Sequence, residues 1–225
     1  MLTRGRAWDS LDKEQAVETT PASETIDREA CLKAAQRLGK RMQFEIGHSL
    51  QVTRLALSLF DHLEDAHGFG AHERFLLEMA AVLHDIGISE GLRKHHKSSF
   101  RLIQAADLRP LPDHDKLLIS LIARFHRKAE PSQKIEDFAA LAPDDQRLVE
   151  ILAGILRVAD GLDSTHLELV RSISIEVTTD SIILNCEVSG DASSEREATL
   201  NKGTLFQKVM GKKLEILFPG LRRRT

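Results

Sequence analysis

The chain has 225 residues, 42% hydrophobic and 29% charged, with a formal net charge of −3. That is enough chain for one sizeable domain with an appendage and an ordinary globular balance; the slight negative charge argues against broad binding to nucleic acid or acidic membrane surfaces, which needs a strong basic field. Cys31 and Cys186 stand far apart, outside any C-x-x-C unit, and the start Met1-Leu2-Thr3-Arg4-Gly5-Arg6 leads into polar residues, so we expect a cytoplasmic protein without disulfides, signal peptide or membrane span.

Residues 1–26 are polar and are interrupted by Thr19-Thr20-Pro21-Ala22-Ser23, which predicts a tail without regular structure. Helical periodicity takes over from Asp27. Leu50, Leu55, Leu57, Leu59 and Phe60 define an apolar stripe over 47–63, with His48 near its start. A second helix is expected over 73–83, carrying Phe75, Leu76, Met79, Ala80 and Leu83 inward. Further helices are predicted over 98–106, 113–127 and 144–156, with Pro110, Pro112, Pro131 and Pro143 falling between them as breakers. After about Val170 the period changes. Ile173, Ile175 and Val177 alternate with polar residues, Thr179-Asp180-Ser181 offers a turn, and Ile182, Leu184, Cys186 and Val188 alternate again. A helix over 195–210 stopped by Gly211 and a strand over 213–218 stopped by Pro219 complete a β-β-α-β pattern. The expectation is a mainly α protein: a tail (1–26), a helical bundle (27–168) and a small α+β subdomain (169–225).

The chemistry concentrates at His84-Asp85. The pair follows the apolar run Met79-Ala80-Ala81-Val82-Leu83 and precedes Ile86-Gly87-Ile88, surroundings in which polar groups are costly unless something binds them. Successive helical residues point about 100° apart, so the imidazole can meet one ion while the carboxylate reaches the same ion or bridges to a second. His48, His95 or His96, His126 and Asp160 lie on other segments, which is how a bundle assembles a metal site in its core. A mixed imidazole and carboxylate set suits Mn, Fe, Co, Zn or Mg. One ion, or two about 3.5–4 Å apart, would generate the nucleophile from water. Arg93-Lys94-His95-His96-Lys97 and Arg124-Phe125-His126-Arg127-Lys128 wrap candidate ligands in cations, an arrangement that needs an anion, and phosphate fits. The other five of the ten histidines, His62, His67, His72, His114 and His166, read as ordinary core or surface residues.

Leu83-His84-Asp85-Ile86-Gly87, His95-His96-Lys97, Arg124-Phe125-His126-Arg127-Lys128 and Leu156-Arg157-Val158-Ala159-Asp160-Gly161-Leu162-Asp163 occur in an order that resembles the HD superfamily of metal-dependent phosphohydrolases. The match is closer to the helical C-terminal domain of the exopolyphosphatase/guanosine pentaphosphate phosphatase family. Gly203-Thr204-Leu205-Phe206 looks like the end of that family, so the resemblance covers roughly residues 30–218. It implies His48, His84, Asp85 and Asp160 as metal ligands, Asp85 also as the catalytic residue, and His95 and His126 at a second ion. His95 is preferred over His96 because it stands four residues before Ser99, matching a His-x-x-x-Ser arrangement. Lys97, Arg127 and Lys128 would contact substrate phosphate, and His96, Arg124 and Asp163 complete the candidates. Ser98 stands where many relatives carry a further His. The family's actin-like phosphatase domain has no counterpart in this sequence, so polyphosphate or pentaphosphate hydrolysis is not expected of it. The resemblance implies hydrolysis of a nucleotide or other small phosphorylated compound by a metal-activated water; a homodimer is expected only as the common default. The alternatives are a non-catalytic nucleotide or phosphate-binding module, or a partner domain of a separately encoded catalytic subunit.

Overall fold

The computed structural model describes residues 26–127 and 130–218. Lys128 and nearly all of the expected N-terminal tail lie outside the described residues. The fold is mainly α with a small C-terminal sheet. The described residues form ten α-helices, α1 Arg28–Arg41, α2 Ile46–His62, α3 Glu64–His67, α4 Ala71–Leu83, α5 His95–Ala105, α6 Asp113–Arg124, α7 Glu136–Ala139, α8 Pro143–Gly161, α9 Ser193–Lys202 and α10 Thr204–Met210, and strands β1 Val170–Val177, β2 Ser181–Val188 and β3 Lys213–Leu217.

Local chemistry accounts for the element ends. Asp27 accepts a hydrogen bond from the Ala30 N–H at 3.0 Å and caps α1, satisfying one of the donors a helix start leaves open. Pro143 begins α8 where its missing N–H costs nothing. α4 and α8 are buried nearly all round in their C-terminal halves and form the centre of the bundle, with α2 and α6 against them. A Cβ on Gly154 would lie 3.1 Å from Phe206 Cα, so this glycine lets α10 pack directly on α8.

The apolar stripe of α2 differs in detail from its sequence expectation. Leu55, Leu59 and Phe60 are buried, but Leu50 is 57% exposed, because the helical rotation carries it away from the face that Val52, Leu55, Ala56 and Leu59 share. The helix expected over 113–127 stops at Arg124, and α5 begins at His95, earlier than expected. α8 runs to Gly161, five residues beyond its expected end, which puts Asp160 inside its last turn.

β1 and β2 form the expected antiparallel hairpin, with Ile173 opposite Cys186 and Ile175 opposite Leu184. The Thr178 hydroxyl accepts from the Ser181 N–H at 2.9 Å in the turn. β3 returns parallel to β2 in the order β1-β2-β3, so the intervening helices form a crossover. The single helix expected there is two, interrupted at Gly203, where a Cβ would lie 2.7 Å from Leu214 Cδ2 and 2.8 Å from the Thr199 carbonyl oxygen. One continuous apolar core runs from Cys31 in α1 to Ile216 in β3.

Candidate metal centre

His84 and His126 stand just past the ends of α4 and α6, where helices leave carbonyls without partners. Each ring turns back onto its own helix: His84 Nδ1–H donates to the Ala81 carbonyl at 2.7 Å, and His126 Nδ1–H to that of Ala123 at 2.6 Å. His95, at the start of α5, repeats the three-residue pattern onto the Leu92 carbonyl at 3.0 Å. His48, in the first turn of α2, donates Nδ1–H to Asp163 Oδ2 at 2.8 Å. Because a carbonyl only accepts, Nδ1 must carry the proton in each carbonyl-bonded ring. The neutral ring then presents Nε2 as a bare lone pair.

All four Nε2 atoms point into one place. His95 Nε2 and His126 Nε2 are 3.1 Å apart, and Asp85 Oδ1 lies 3.1 Å from the first and 3.4 Å from the second. Asp85 Oδ2 lies 3.5 Å from His84 Nε2 and 3.9 Å from His48 Nε2, which is itself 3.6 Å from Asp160 Oδ1. His48 Nε2, His84 Nε2 and Asp85 Oδ1 are buried without a hydrogen-bond partner. The donors form two sets, each close enough to hold one ion: His48, His84 and Asp160, and Asp85, His95 and His126. Asp85 faces both, one oxygen to each. Buried nitrogens and carboxylate oxygens converging in this way are costly unless a proton or a cation stands between them. A hard or borderline divalent ion fits this nitrogen and oxygen donor set.

The electrostatics separate the ligands. Burial opposes ionisation of Asp85, yet the neighbouring His84, His95 and His126 hold its carboxyl well below the usual range. Asp160 is likewise lowered against its burial, by Lys202, His48 and the other imidazoles. Burial pulls His126 down to about 3 and keeps it neutral. His48 is opposed by burial as well, but the carboxylates of Asp160 and Asp163 outweigh it and raise the ring to about 9. His95 is raised too, by Asp85 against the cost of burial.

The structure therefore brings together all six candidates, His48, His84, Asp85, His95, His126 and Asp160. His95 belongs to one of the two donor sets, whereas the His96 ring is turned edge-on to that of His95 at 6.1 Å and lies outside both. Asp163 acts one step back, orienting His48 and accepting the Glu168 N–H at 2.8 Å. The cavity over the centre, about 200 Å³, is lined by Asp85, His95, His126, Asp160 and Arg127, joined by Lys202 and His166. Lys97 is exposed on α5 and lines neither this cavity nor its neighbour. Arg124 packs over the Phe100 ring, 5.0 Å from its centroid, and is likewise absent from both linings.

Three contributors escaped the sequence reading. Lys202, the last residue of α9, places Nζ 2.7 Å from Asp160 Oδ2. It gets there because α9 lies against the end of α8: a Cβ on Gly161 would fall 2.5 Å from Thr199 Cα. His166, read as ordinary, stacks on His48 at 3.8 Å between ring centroids and bonds Glu45 through Nδ1 at 2.6 Å. Arg157, one turn before the end of α8, donates Nε–H to the Phe125 carbonyl at 2.6 Å and anchors the segment that carries His126.

The bundle thus closes its helix ends with histidines, aims their nitrogens at two carboxylates and lines the opening with cations, and two of its donor sets could each hold a metal ion. Over residues 31–203 the chain matches the Ppx/GppA phosphatase family, domain III. It belongs to that family, as a phosphatase-related module. Among the described residues no helix is long and apolar enough to cross a membrane.

Proposed function

We propose that this protein is a metal-dependent phosphohydrolase of the HD type, acting on a nucleotide or other small phosphorylated compound. The observation that carries the reading is the pair of Nε2 atoms on His95 and His126, 3.1 Å apart and both facing Asp85 Oδ1, with each Nδ1 committed to a carbonyl. A pure scaffold has no use for imidazole nitrogens and a carboxylate gathered against each other in a buried centre. The actin-like catalytic domain is not required for this chemistry.

In this reading His48, His84 and Asp160 would hold one divalent ion and Asp85, His95 and His126 a second. A divalent ion there lowers the pKa of water and withdraws charge from phosphoryl oxygens. The chain's own residues do the rest. The Nδ1–H hydrogen bonds fix the ring orientations before any ligand arrives, which removes reorganisation from the reaction. Asp85, the residue we assign to catalysis, is ionised and offers one oxygen to each donor set, so its role would be to orient the ions. Arg127, at the cavity rim, receives phosphoryl oxygens with its planar fork. Lys202 holds Asp160 ionised, and once that carboxylate has a metal to bind, its ammonium is free to meet substrate.

Elemental analysis of the purified protein, with Asp85→Ala alongside, tests the reading. One or two transition-metal ions per chain, lost in the variant, together with Mn-dependent hydrolysis of p-nitrophenyl phosphate that the variant lacks, is the expected result. A protein that stays metal-free after incubation with Mn, Fe or Co would overturn it.

A further inference from the structure

The opening over the metal-competent cluster has a neighbour. A cavity of about 350 Å³ lies between the ends of α6 and α8 and the α9–α10 junction, walled by Arg127, Arg157, Asn201, Lys202 and Thr204. The two cavities share His126, Arg127 and Lys202 as lining residues. We propose that this second cavity is an anion subsite, so that the compound bound at this centre carries two phosphoryl groups, one over the metal cluster and one across Lys202. The inference rests on the phosphohydrolase reading for the identity of the first group; the second is argued from the cavity itself.

The first argument is charge. Three cationic side chains and one carboxylate, Glu130, line the cavity, and Glu130 faces the Lys208 ammonium at 3.8 Å. Arg127 has no carboxylate within ion-pair distance among the described residues. Arg157 gives Nε–H to the Phe125 carbonyl and is favoured by the Glu130 charge, so Arg127 and Lys202 are the cations that an added anion would serve.

The second argument is Lys202. Its only ion-pair partner among the described residues is Asp160, which belongs to a ligand set. A divalent cation on Asp160 would repel the ammonium 2.7 Å from that carboxylate, and the two cavities it lines are where it can turn. One ammonium carries three donors and can serve two anions at once. Asn201, in the last turn of α9, and Thr204, at the start of α10, add neutral hydrogen-bonding groups to the wall. The third argument is size. A volume of about 350 Å³ reaches the range of small-molecule sites. Beside the metal cavity it leaves room for a leaving group with a charged end.

The test compares propyl phosphate with the bisphosphate of propanediol, which differ by one phosphoryl group, in titration calorimetry against the Mn-loaded protein. Charge-assisted hydrogen bonds of the second group predict binding tighter by roughly tenfold or more. Thr204→Glu puts a carboxylate into the second cavity and should bring the ratio of the two affinities close to unity. Glu130→Gln removes the one acidic lining residue and should raise the ratio, which keeps the test sharp if Thr204→Glu fails to fold. Equal affinities in the unmodified protein, or a ratio that neither substitution moves, would overturn the subsite. Binding needs no turnover, so the two readings fail separately. A preserved ratio without p-nitrophenyl phosphate hydrolysis removes the hydrolase and keeps the subsite, whereas hydrolysis with a ratio near unity does the reverse.

Discussion

At the scale of single residues, Asp163 and His48 show how much of this centre is made by groups that touch no ligand. Asp163 is fully buried, accepts from His48 Nδ1 at 2.8 Å and leaves Nε2 facing Asp160. Outer partners of this kind tune both ring orientation and basicity, and their loss costs about 10–100-fold in metal affinity. Asp163→Asn should therefore weaken metal binding by that factor with little change in fold, read by competition against a chromophoric chelator. The proton on His48 supplies a second expectation. The ring's pKa is raised from 6.5 to about 9 by Asp160 and Asp163, against its burial. In the metal-free protein the stabilisation from this charged ring is complete below about 6.5 and lost as pH rises through about 9. Metal binding needs the neutral ring, so it runs the other way, and apparent affinity should climb by roughly tenfold per pH unit across that window for one displaced proton. Calorimetry in two buffers of different ionisation enthalpy would count that proton; affinity independent of pH would contradict the assignment. The His-Asp pair, His48 and Asp160 were legible in the sequence because residue type, apolar flank and order sufficed. Lys202 was not. It is 42 positions from Asp160, and only the approach of Gly161 to Thr199 makes them neighbours.

At the scale of elements, ligand geometry is set by where helices stop and how tightly the next one abuts. Gly87, in the single 3-10 turn Ile86–Glu90 after Asp85, donates its N–H to Ser99 Oγ at 2.9 Å. A Cβ there would lie 2.2 Å from the His95 carbonyl oxygen and 2.4 Å from the Ser99 nitrogen, both backbone atoms that cannot swing aside. Gly87→Ala must push α5 away from the turn. The expected cost is about 1–3 kcal/mol, as for other overpacked sites. It should also draw His95 off Asp85, so metal affinity falls together with melting temperature. Gly70→Ala is the contrast: the nearest atom to its Cβ is the end of the Glu73 side chain at 3.7 Å, and metal affinity should not change. Periodicity found the main helices, because α2 and α6 each bury one broad face and α4 and α8 carry long apolar runs into the centre. It placed the end of α4 at Leu83 and the start of α6 at Asp113, but missed where α6 and α8 stop. Whether α8 stops at 156 or continues to Gly161 is decided by α9 and α10 packing on it, and that contact has no signature in the local pattern.

At the scale of the whole molecule, the candidate ligands come from α2, α5, α8 and the segments that follow α4 and α6, and Lys202 adds α9 from the C-terminal side. An ion held by such a set is contacted by most of the chain at once, and no short piece of the unfolded chain offers the same donors. Binding to the folded state alone therefore stabilises all of it. At a metal concentration 100 times the dissociation constant the gain is about 2.7 kcal/mol for one site. For a domain of this size each kcal/mol moves the melting temperature by roughly 2–4 °C. Adding Mn should raise the midpoint by about 5–10 °C per tightly held ion, in a single cooperative transition because one core joins bundle and sheet. In Asp85→Ala the shift should shrink sharply, since the carboxylate facing both donor sets is gone. The metal-free variant should itself be less stable than the metal-free parent at neutral pH, because the imidazoles around Asp85 hold its carboxyl below the usual range and that favourable pairing is lost with it. A metal-dependent shift that splits into two transitions would mean that the ion fastens the helices alone and leaves Lys202 and its sheet outside the linkage.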